Sequence, residues 1–301
     1  MNKRKIVILE FPTNIGLKKK SYETEPQVRI LPDWLKTNGF HNELNVTDTI
    51  HLNSFEYSEI LDEESKVKNA DKIVDYAILQ SKIIFENVTE NNFQIILGGD
   101  CSVLIGTAIA LKQKGTFGLF FLDGHTDYIT PDISQTGGAA GMDLAIVTGN
   151  AHKKLTNILN NGNYLDEKNI FCVGNREYDE DYVRPILNSN INYFDLKLCR
   201  EIGLTKITFD FLKMVEENQL DGFFIHFDVD VLNDEIMPAV DSRNGDGLYY
   251  NEIIELLDPL LQSNKAVGIE ITILDPSLDK DAKYTKEFVY QITRLLKKSC
   301  S

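Results

Sequence analysis

Three polar residues directly follow an apolar run in the middle of the chain. Phe117–Leu122 is followed by Asp123, His125 and Asp127. A continuously apolar, aromatic run is typical of a strand buried in a parallel sheet, and alternate residues of an extended chain point to the same side. Carboxylates and an imidazole at a buried strand end are costly unless their charge is compensated. A divalent metal ion would compensate it, whereas a solvated loop that caps the strand is the alternative.

Two further apolar runs end in the same way. Residues 222–227 lead into Asp228 and Asp230, and residues 93–97 lead into a Gly-Gly turn that is followed by Cys101. In open α/β sheets, ligands bind at the carboxyl ends of the strands. Oxygen-rich ligation with one imidazole suits Mn²⁺ or a similar ion, and shared aspartates suit a pair of ions. Together, the three runs predict a site for two divalent ions.

The composition is that of an ordinary globular protein, since 43% of the 301 residues are hydrophobic and 26% are charged. Without a linker or a low-complexity run, residues 1–301 are expected to form a single domain. Strands alternate with helices along the chain, including an expected strand at residues 45–50, a long amphipathic helix at 64–87 and a helix at 209–217. This alternation predicts an α/β fold in which a parallel sheet is covered by helices on both faces.

The acidic balance of the chain limits its partners. A formal net charge of −15 argues against nucleic acid or an anionic membrane surface as a partner. The charge is compatible with a small cationic substrate, although solubility explains most of it. No apolar run approaches the ~20 residues that a membrane helix needs. No Gly-x-Gly-x-x-Gly motif opens a helix, so no organic cofactor is expected.

The remaining cysteines and histidines indicate no further site. Four cysteines lie far apart in the sequence: Cys101, Cys172, Cys199 and Cys300. This spacing is typical of reduced thiols in a cytoplasmic protein. Three histidines lie in polar stretches and are expected at the surface: His41, His51 and His152. His226 is expected to be a core residue with satisfied hydrogen bonds, and a supporting position behind a metal ligand is the alternative.

The three motifs together resemble those of a known family. Gly-Gly-Asp-Cys-Ser at 98–102, Asp-Gly-His-Thr-Asp at 123–127 and His-Phe-Asp-Val-Asp at 226–230 occur in this order. They resemble the ureohydrolase superfamily, which contains the arginases, agmatinases and formiminoglutamases. The resemblance implies a three-layer α/β/α fold with a central, mostly parallel sheet of about eight strands. It also implies a binuclear manganese site and a homo-oligomer, usually a trimer or a hexamer.

The resemblance assigns roles to individual positions. It implies six metal ligands: Cys101, Asp123, His125, Asp127, Asp228 and Asp230. Asp123 and Asp228 would bridge the two ions. In the family, a metal-bridging hydroxide attacks a guanidinium or amidine carbon, and the residue at Asp127 moves the proton to the leaving nitrogen. Asp127 and His125 are therefore the candidate catalytic residues.

Several positions depart from the family pattern. Cys101 stands where the family has His, and a thiolate favours Zn²⁺, Fe²⁺, Co²⁺ or Ni²⁺ over Mn²⁺. A buried cysteine that weakens one metal site is the alternative. Ala140 replaces a His that assists proton transfer in arginases, Ile273 replaces the Glu that pairs with the guanidinium, and Ile129 replaces an Asn. Arginine itself is therefore not expected to be the substrate.

Four residues are candidates for binding the substrate: Thr136, Asp179, Asp241 and Ser242. Thr136 and Asp179 match in type the residues that hold the amino-acid head group in arginases. Asp241, with Ser242 beside it, would hold a cationic substrate; an ion pair with Arg243 or a plain turn is the alternative.

The sequence thus favours a metal-dependent hydrolase of a linear C–N bond in a guanidino, amidino or formimino compound. One alternative is an amide hydrolase with a single metal ion, similar to the zinc deacetylases. That alternative is weaker because no adjacent His-His pair is present to act as a base. The other alternative is a catalytically degenerate family member that binds or regulates, as the changes at Cys101, Ala140 and Ile273 would permit.

Overall fold

The computed structural model describes residues 4–20, 24–46, 48–160 and 162–300, with side chains described as far as residue 298. The predicted thiol of Cys300 therefore lies outside the described side chains. The described cysteines Cys101, Cys172 and Cys199 are buried and free, in keeping with the expectation of reduced thiols.

A single sheet of eight strands forms the centre of the fold, and all described pairings between its strands are parallel. The strands are β1 Lys5–Glu10, β2 Thr49–His51, β3 Asn92–Leu97, β4 Phe117–Leu122, β5 Ile170–Asn175, β6 Asn192–Asp195, β7 Gly222–Asp228 and β8 Ala266–Thr272. Their order across the sheet is β2-β1-β3-β8-β7-β4-β5-β6. The predicted parallel sheet of about eight strands is confirmed.

Helices cover both faces of this sheet. The α-helices of the described residues are α1 Leu31–Thr37, α2 Phe40–Glu43, α3 Ala70–Asn87, α4 Val103–Lys114, α5 Asp143–Val147, α6 Lys153–Thr156, α7 Glu180–Leu187, α8 Leu196–Ile202, α9 Leu204–Glu217, α10 Tyr250–Gln262 and α11 Lys283–Leu296. None of them is both long and apolar enough to cross a membrane.

Alternation along each strand produces two separate apolar cores. In β4, Phe120 and Leu122 pack into one core with residues of α1, α2 and α8–α11. Leu119 and Phe121 point the other way, into a core with residues of α3–α7. Because successive side chains of a strand face opposite sides, one buried strand joins both cores, which explains why its sequence is apolar throughout.

Three predicted elements begin later or earlier than expected. The long helix begins at Ala70 rather than at residue 64, because the Asp62 carboxylate accepts hydrogen bonds from the Ser65 amide and hydroxyl and closes a turn. The strand expected at 45–50 is limited to Thr49–His51. The helix expected at 209–217 already begins at Leu204.

His41 is buried, so the prediction of a surface position is wrong for this residue. Its Nε2 lies 3.0 Å from Glu10 Oε1. His51, which is partly exposed, places Nδ1 3.1 Å from the other oxygen of the same carboxylate. Burial raises the pKa of Glu10, but the two histidine hydrogen bonds outweigh it and the net pKa is lowered. The polar residues around His41 in the sequence gave no sign of this buried partner.

Candidate metal centre

The candidate ligands lie at the carboxyl edge of the four central strands. β3, β8, β7 and β4 are consecutive neighbours in the sheet. Leu122 pairs with Phe227, so the next residues along the two strands, Asp123 and Asp228, follow side by side. Asp228 pairs in turn with Thr272 at the end of β8. The parallel order of the sheet therefore brings together residues that are far apart in the chain.

A tight turn after β3 delivers Cys101 to the same edge. A Cβ atom on Gly99 would overlap the carbonyl oxygen of Thr13, so only glycine fits there. The buried Asp100 carboxylate accepts hydrogen bonds from the amides of Gly16, at 3.1 Å, and Ser102, at 2.9 Å. These contacts hold the loop after β1 against the turn and fix the direction in which Cys101 leaves it.

Cys101 is buried against the ligand candidates. Its Sγ donates to Asp228 Oδ2 at 2.9 Å and lies 3.2 Å from Thr272 Oγ1. Burial, and then the charge of Asp228, raise the pKa of the thiol well above its usual value. In the absence of an ion the sulfur is therefore a thiol, and a divalent ion would have to displace its proton.

His125 connects the carboxylates to the loop that contains Ser242. Its Nδ1 lies 2.9 Å from Asp230 Oδ2, and its Nε2 lies 2.9 Å from Ser242 Oγ. Burial lowers the pKa of His125, but Asp230 and Asp123 outweigh burial and the net pKa is raised well above the usual value. The imidazole is therefore protonated when no ion is present and takes part in neutralising the acidic site.

The carboxylates are buried close to one another. Burial raises the pKa of Asp228 and Asp127 well above the usual range, and neighbouring aspartates add to the shift. Burial also raises the pKa of Asp230, but His125 outweighs it and the net pKa is lowered. One oxygen of Asp123 has no hydrogen-bond partner among the described residues. Such a set of crowded, partly unsatisfied carboxylates is typical of a cation site.

All six predicted ligands belong to groups whose ligand atoms lie within 4.8 Å of one another. The groups are Asp123 with His125 and Asp230, Cys101 with Asp127 and Asp143, and Cys101 with Asp123, His226 and Asp228. Asp123 and Cys101 each belong to two of them, and Asp228 belongs to one. Carboxylate oxygens, imidazole nitrogens and one sulfur form a donor set that fits divalent metal ions.

Asp143 is a member of the site that the sequence analysis missed. It is the first residue of α5 and fully buried, and neither of its carboxylate oxygens has a hydrogen-bond partner among the described residues. The amide of Ala145 donates to the carbonyl of Asp127, which brings the start of α5 to the site. An aspartate in the first turn of a helix is common, so its sequence context gave no signal.

A cavity of about 210 Å³ opens onto these residues. Three of the predicted substrate-binding residues line it, namely Thr136, Asp241 and Ser242. Ala140 and Ile273 form part of its wall. Lys18, Glu177 and Tyr182 are among the lining residues that were not predicted from the sequence. The lining thus combines carboxylates with Lys18, and it is apolar where the resemblance leads one to expect a histidine and a glutamate.

Asp179, the fourth predicted substrate-binding residue, does not line this cavity. Its exposed carboxylate accepts a hydrogen bond from the Asp181 amide at 2.9 Å and caps the beginning of α7. A helix start leaves amide groups without partners, and aspartate is among the preferred residues for satisfying them. Capping accounts for this residue without a substrate contact.

Asp241 faces the cavity rather than the arginine proposed as an alternative partner. Arg243 instead pairs with Asp234, with a distance of 2.6 Å from Nε to Oδ1. Burial, and then the charge of Asp230, raise the pKa of Asp241 to about 6. Lys20, whose ammonium donates to the Asp241 carbonyl oxygen, acts against this rise.

Comparison with known proteins agrees with this geometry. The family model described as "Arginase family" matches residues 5–296. The chain belongs to the Arginase family. An arginase from Staphylococcus aureus (strain MRSA252) is 26% identical over 282 residues, which cover 93% of each chain.

Solved structures show that the fold is the arginase fold. The native structure of arginase from Bacillus caldovelox superposes with a TM-score of 0.85 and 24% identity, covering 98% of each chain. Formimidoylglutamase from Bacillus subtilis superposes with a TM-score of 0.73 and 20% identity, covering 99% of this chain and 88% of the other. The predicted membership of the ureohydrolase superfamily is confirmed. Because enzymes with different substrates share the arginase fold, the fold does not fix the substrate.

Proposed function

We propose that this Arginase-family chain hydrolyses a linear C–N bond of a small guanidino, amidino or formimino compound with the help of two divalent metal ions. The observation that carries the proposal is the convergence of Asp123, Asp127, Asp228 and Asp230 with His125 beside one cavity. Buried carboxylates in such numbers destabilise a fold unless they bind a cation.

The residues fall into two ligand sets around the shared Asp123. His125 and Asp230 would hold one ion with Asp123, and Cys101 and Asp228 would contribute to the other. When bound, divalent ions lower the pKa of water and polarise the carbon under attack. Mn²⁺ is the expectation from the family, whereas the Cys101 sulfur favours Zn²⁺, Fe²⁺, Co²⁺ or Ni²⁺.

Residues of this chain provide the proton transfer and the binding of the substrate. The Asp127 carboxyl lines the cavity, so it would be within reach to pass a proton to a leaving nitrogen. Asp241 and Glu177 line the same cavity and would pair with a cationic substrate. Ser242 would orient both His125, which it contacts at 2.9 Å, and the substrate, and Thr136 would add a hydroxyl contact.

The apolar wall of the cavity supports a substrate other than arginine. Ile273 is buried at the end of β8 and offers no charge to a guanidinium. A guanidinium left unpaired in a desolvated site would be bound several-fold more weakly. We therefore propose a substrate whose cationic part faces Asp241 and Glu177. A homo-oligomer, trimeric or hexameric as the resemblance implies, and a cytoplasmic location complete the proposal.

Metal content and turnover test this proposal. Protein purified without added metal, and protein reconstituted with Mn²⁺, Zn²⁺, Co²⁺, Ni²⁺ or Fe²⁺, would be measured for metal per chain by mass spectrometry of the ions. The loaded forms would then be screened with guanidino, amidino and formimino compounds for release of urea, ammonia or formamide. About two ions per chain and turnover of one substrate class are expected.

Matched variants separate the possible outcomes. Asp228→Asn should lose metal and turnover, whereas Asp179→Asn, which alters a carboxylate outside the cavity, should keep both. A protein that binds no ion under any of these conditions would refute the proposal. Two bound ions without turnover of any tested compound would instead support the degenerate binding protein, for which Ala140 and Ile273 already provide an inert cavity wall.

A further inference from the structure

His226 is a buried imidazole whose two ring nitrogens are in unequal environments. It lies in β7 two residues before Asp228, on the same side of the strand. Its Nδ1 lies 2.7 Å from Glu270 Oε1. Its Nε2 is fully buried and has no hydrogen-bond partner in the described part of the chain. The expectation of a fully satisfied core histidine therefore holds for only one nitrogen.

The surroundings of His226 fix the ring in one orientation. Phe121 stacks on it, with ring centroids 4.6 Å apart and ring planes inclined by 9°. The other oxygen of Glu270 accepts a hydrogen bond from Thr107 Oγ1 at 2.7 Å, so this carboxylate cannot turn away from the imidazole without losing a partner. Both His226 and Glu270 are fully excluded from solvent. The ring is thus held from two sides with Nε2 pointing away from Glu270.

The imidazole of His226 lies among the candidate ligands. His226 forms a group with Cys101, Asp123 and Asp228 in which all ligand atoms lie within 4.8 Å of one another. One oxygen of Asp123 in this group is also without a partner among the described residues. A histidine that ligates a metal through one nitrogen usually donates its other N–H to a carboxylate, which sets the tautomer and the ring direction. The arrangement of His226 and Glu270 has this form.

We propose that His226 Nε2 is a ligand of the ion held by Cys101, with Glu270 and Thr107 as positioning residues. The imidazole that is missing at position 101 would thus be supplied from β7. One sulfur, one nitrogen and two carboxylates then surround this ion, a donor set that suits Zn²⁺, Co²⁺ or Fe²⁺ better than Mn²⁺. This inference rests on the proposed function only in requiring that an ion is bound.

Cobalt titration provides a readout that does not depend on activity. Co²⁺ bound to a cysteine thiolate has a charge-transfer absorption in the near ultraviolet, so the band reports the Cys101 site alone and should be absent in Cys101→Ser. His226→Gln should weaken Co²⁺ and Zn²⁺ binding at this site by more than the roughly 10–100-fold expected for the positioning variant Glu270→Gln. The second ion, at His125 and Asp230, should be retained in both variants.

His41 offers a matched control. It is also buried and paired with a glutamate, with its Nε2 3.0 Å from Glu10 Oε1, but it belongs to none of the candidate ligand groups. His41→Gln should leave the cobalt band and both affinities unchanged. Unchanged cobalt binding and spectrum in His226→Gln, or a wild-type protein that binds cobalt without the thiolate band, would overturn the inference while leaving the proposed function intact.

The wild-type protein provides a test that does not require the variant to fold. X-ray absorption of protein loaded with two Zn²⁺ per chain counts the imidazoles per ion. An average of one imidazole per ion is expected if both His125 and His226 are ligands. An average of one half would overturn the inference. Failure of the chain to bind any ion would be recognised separately, because it refutes the proposed function itself.

Discussion

The thiol of Cys101 lies 2.9 Å from the Asp228 carboxylate, so a sulfur donor and a carboxylate donor meet at the centre of the sheet edge. In the proposed site this pair would decide which ion is preferred, because a thiolate selects softer ions than a histidine in the same place. The thiol has a raised pKa owing to its burial and to Asp228. Metal binding should therefore release a proton from Cys101 and become tighter as pH rises.

Replacing Cys101 by histidine should change the metal preference. Relative to wild type, Cys101→His is expected to raise the ratio of the Mn²⁺ affinity to the Zn²⁺ affinity by roughly tenfold or more. A tenfold change in this ratio corresponds to about 1.4 kcal/mol of binding free energy. Competition titrations with the two ions measure this ratio. Cys199→Ala changes a buried thiol outside the ligand groups and serves as the control. An unaltered ratio in Cys101→His would show that position 101 is not a ligand.

Asp143→Asn should stabilise the metal-free protein, and the gain should grow with pH. Burial, and then the charge of Asp127, raise the pKa of Asp143 well above its ordinary value of 3.8. The folded protein therefore binds more protons than the unfolded chain above about pH 4, and stability falls as pH rises through this range. A tenfold difference in the proton affinity of this carboxyl between the folded and the unfolded state changes the free energy of unfolding by about 1.4 kcal/mol.

Urea unfolding of the metal-free wild type and of Asp143→Asn at pH 5 and pH 8 measures this difference. The free energy of unfolding of the variant should exceed that of the wild type by more at pH 8 than at pH 5. Added Zn²⁺ should reverse the order if Asp143 contributes to the site with Cys101 and Asp127. A stability difference that does not depend on pH would mean that the Asp143 carboxyl has an ordinary pKa.

Ile273→Glu should allow the cavity to bind a guanidinium more tightly. Ile273 is buried in the cavity wall and has a positive φ of 72°, which is strained for a β-branched residue. A carboxylate there would add an ion pair in a largely desolvated place and should increase the affinity for L-arginine by roughly tenfold. Calorimetric titration tests this against Ile273→Gln, which has nearly the same shape without the charge. Equal affinities of the two variants would refute the prediction.

Asp241 should make binding of a cationic ligand depend on pH. Because burial and Asp230 raise its pKa to about 6, its charge develops between pH 5 and pH 7. The affinity for an alkylguanidine should rise over this range, by about two- to fivefold for a pair worth up to about 1 kcal/mol. Asp241→Asn should remove this rise. Asp179→Asn, which alters a carboxylate outside the cavity, should retain the rise. This control would assign the pH dependence to Asp241.

Glu10→Gln should destabilise the fold away from the site. The buried Glu10 carboxylate is shared between His41 and His51, and loss of one partner of a buried hydrogen bond costs about 1–3 kcal/mol. Its lowered pKa means that this contribution is present above its ordinary value of 4.5 and is lost as pH falls through the folded value. In urea unfolding, Glu43→Gln at the exposed pair with Lys297 should change stability by less than about 1 kcal/mol.

Much of the site follows from local sequence patterns. Asp123, His125 and Asp228 each follow or end an apolar run, and the geometry of parallel sheets places such residues at one edge. The positions therefore follow from strand alternation and from where the apolar runs end. Asp143 could not be found in this way, because it reaches the site through a helix start whose position depends on a backbone hydrogen bond to Asp127.

Other residues show why type alone does not assign a role. Asp179 and Glu177 are two residues apart in one charged loop, yet only Glu177 lines the cavity, since Asp179 is used by the helix start of α7. His41 and His226 are both buried beside a glutamate, although one lies in a polar stretch and the other in an apolar strand. Local composition did not reveal these partners because they come from distant segments.

The sequence by itself determined the fold class, the order of strands and helices and the six candidate ligands, because strand periodicity and residue type are local properties. The tertiary structure decided which atoms lack partners, which acidic residues face the cavity and how each pKa is shifted. These properties depend on burial and on distances between segments separated by many residues. The unpaired Nε2 of His226 is such a property. The residues beside His226 in the chain are apolar, and only the packing of β7 against β4 and β8 brings its imidazole among Cys101, Asp123 and Asp228.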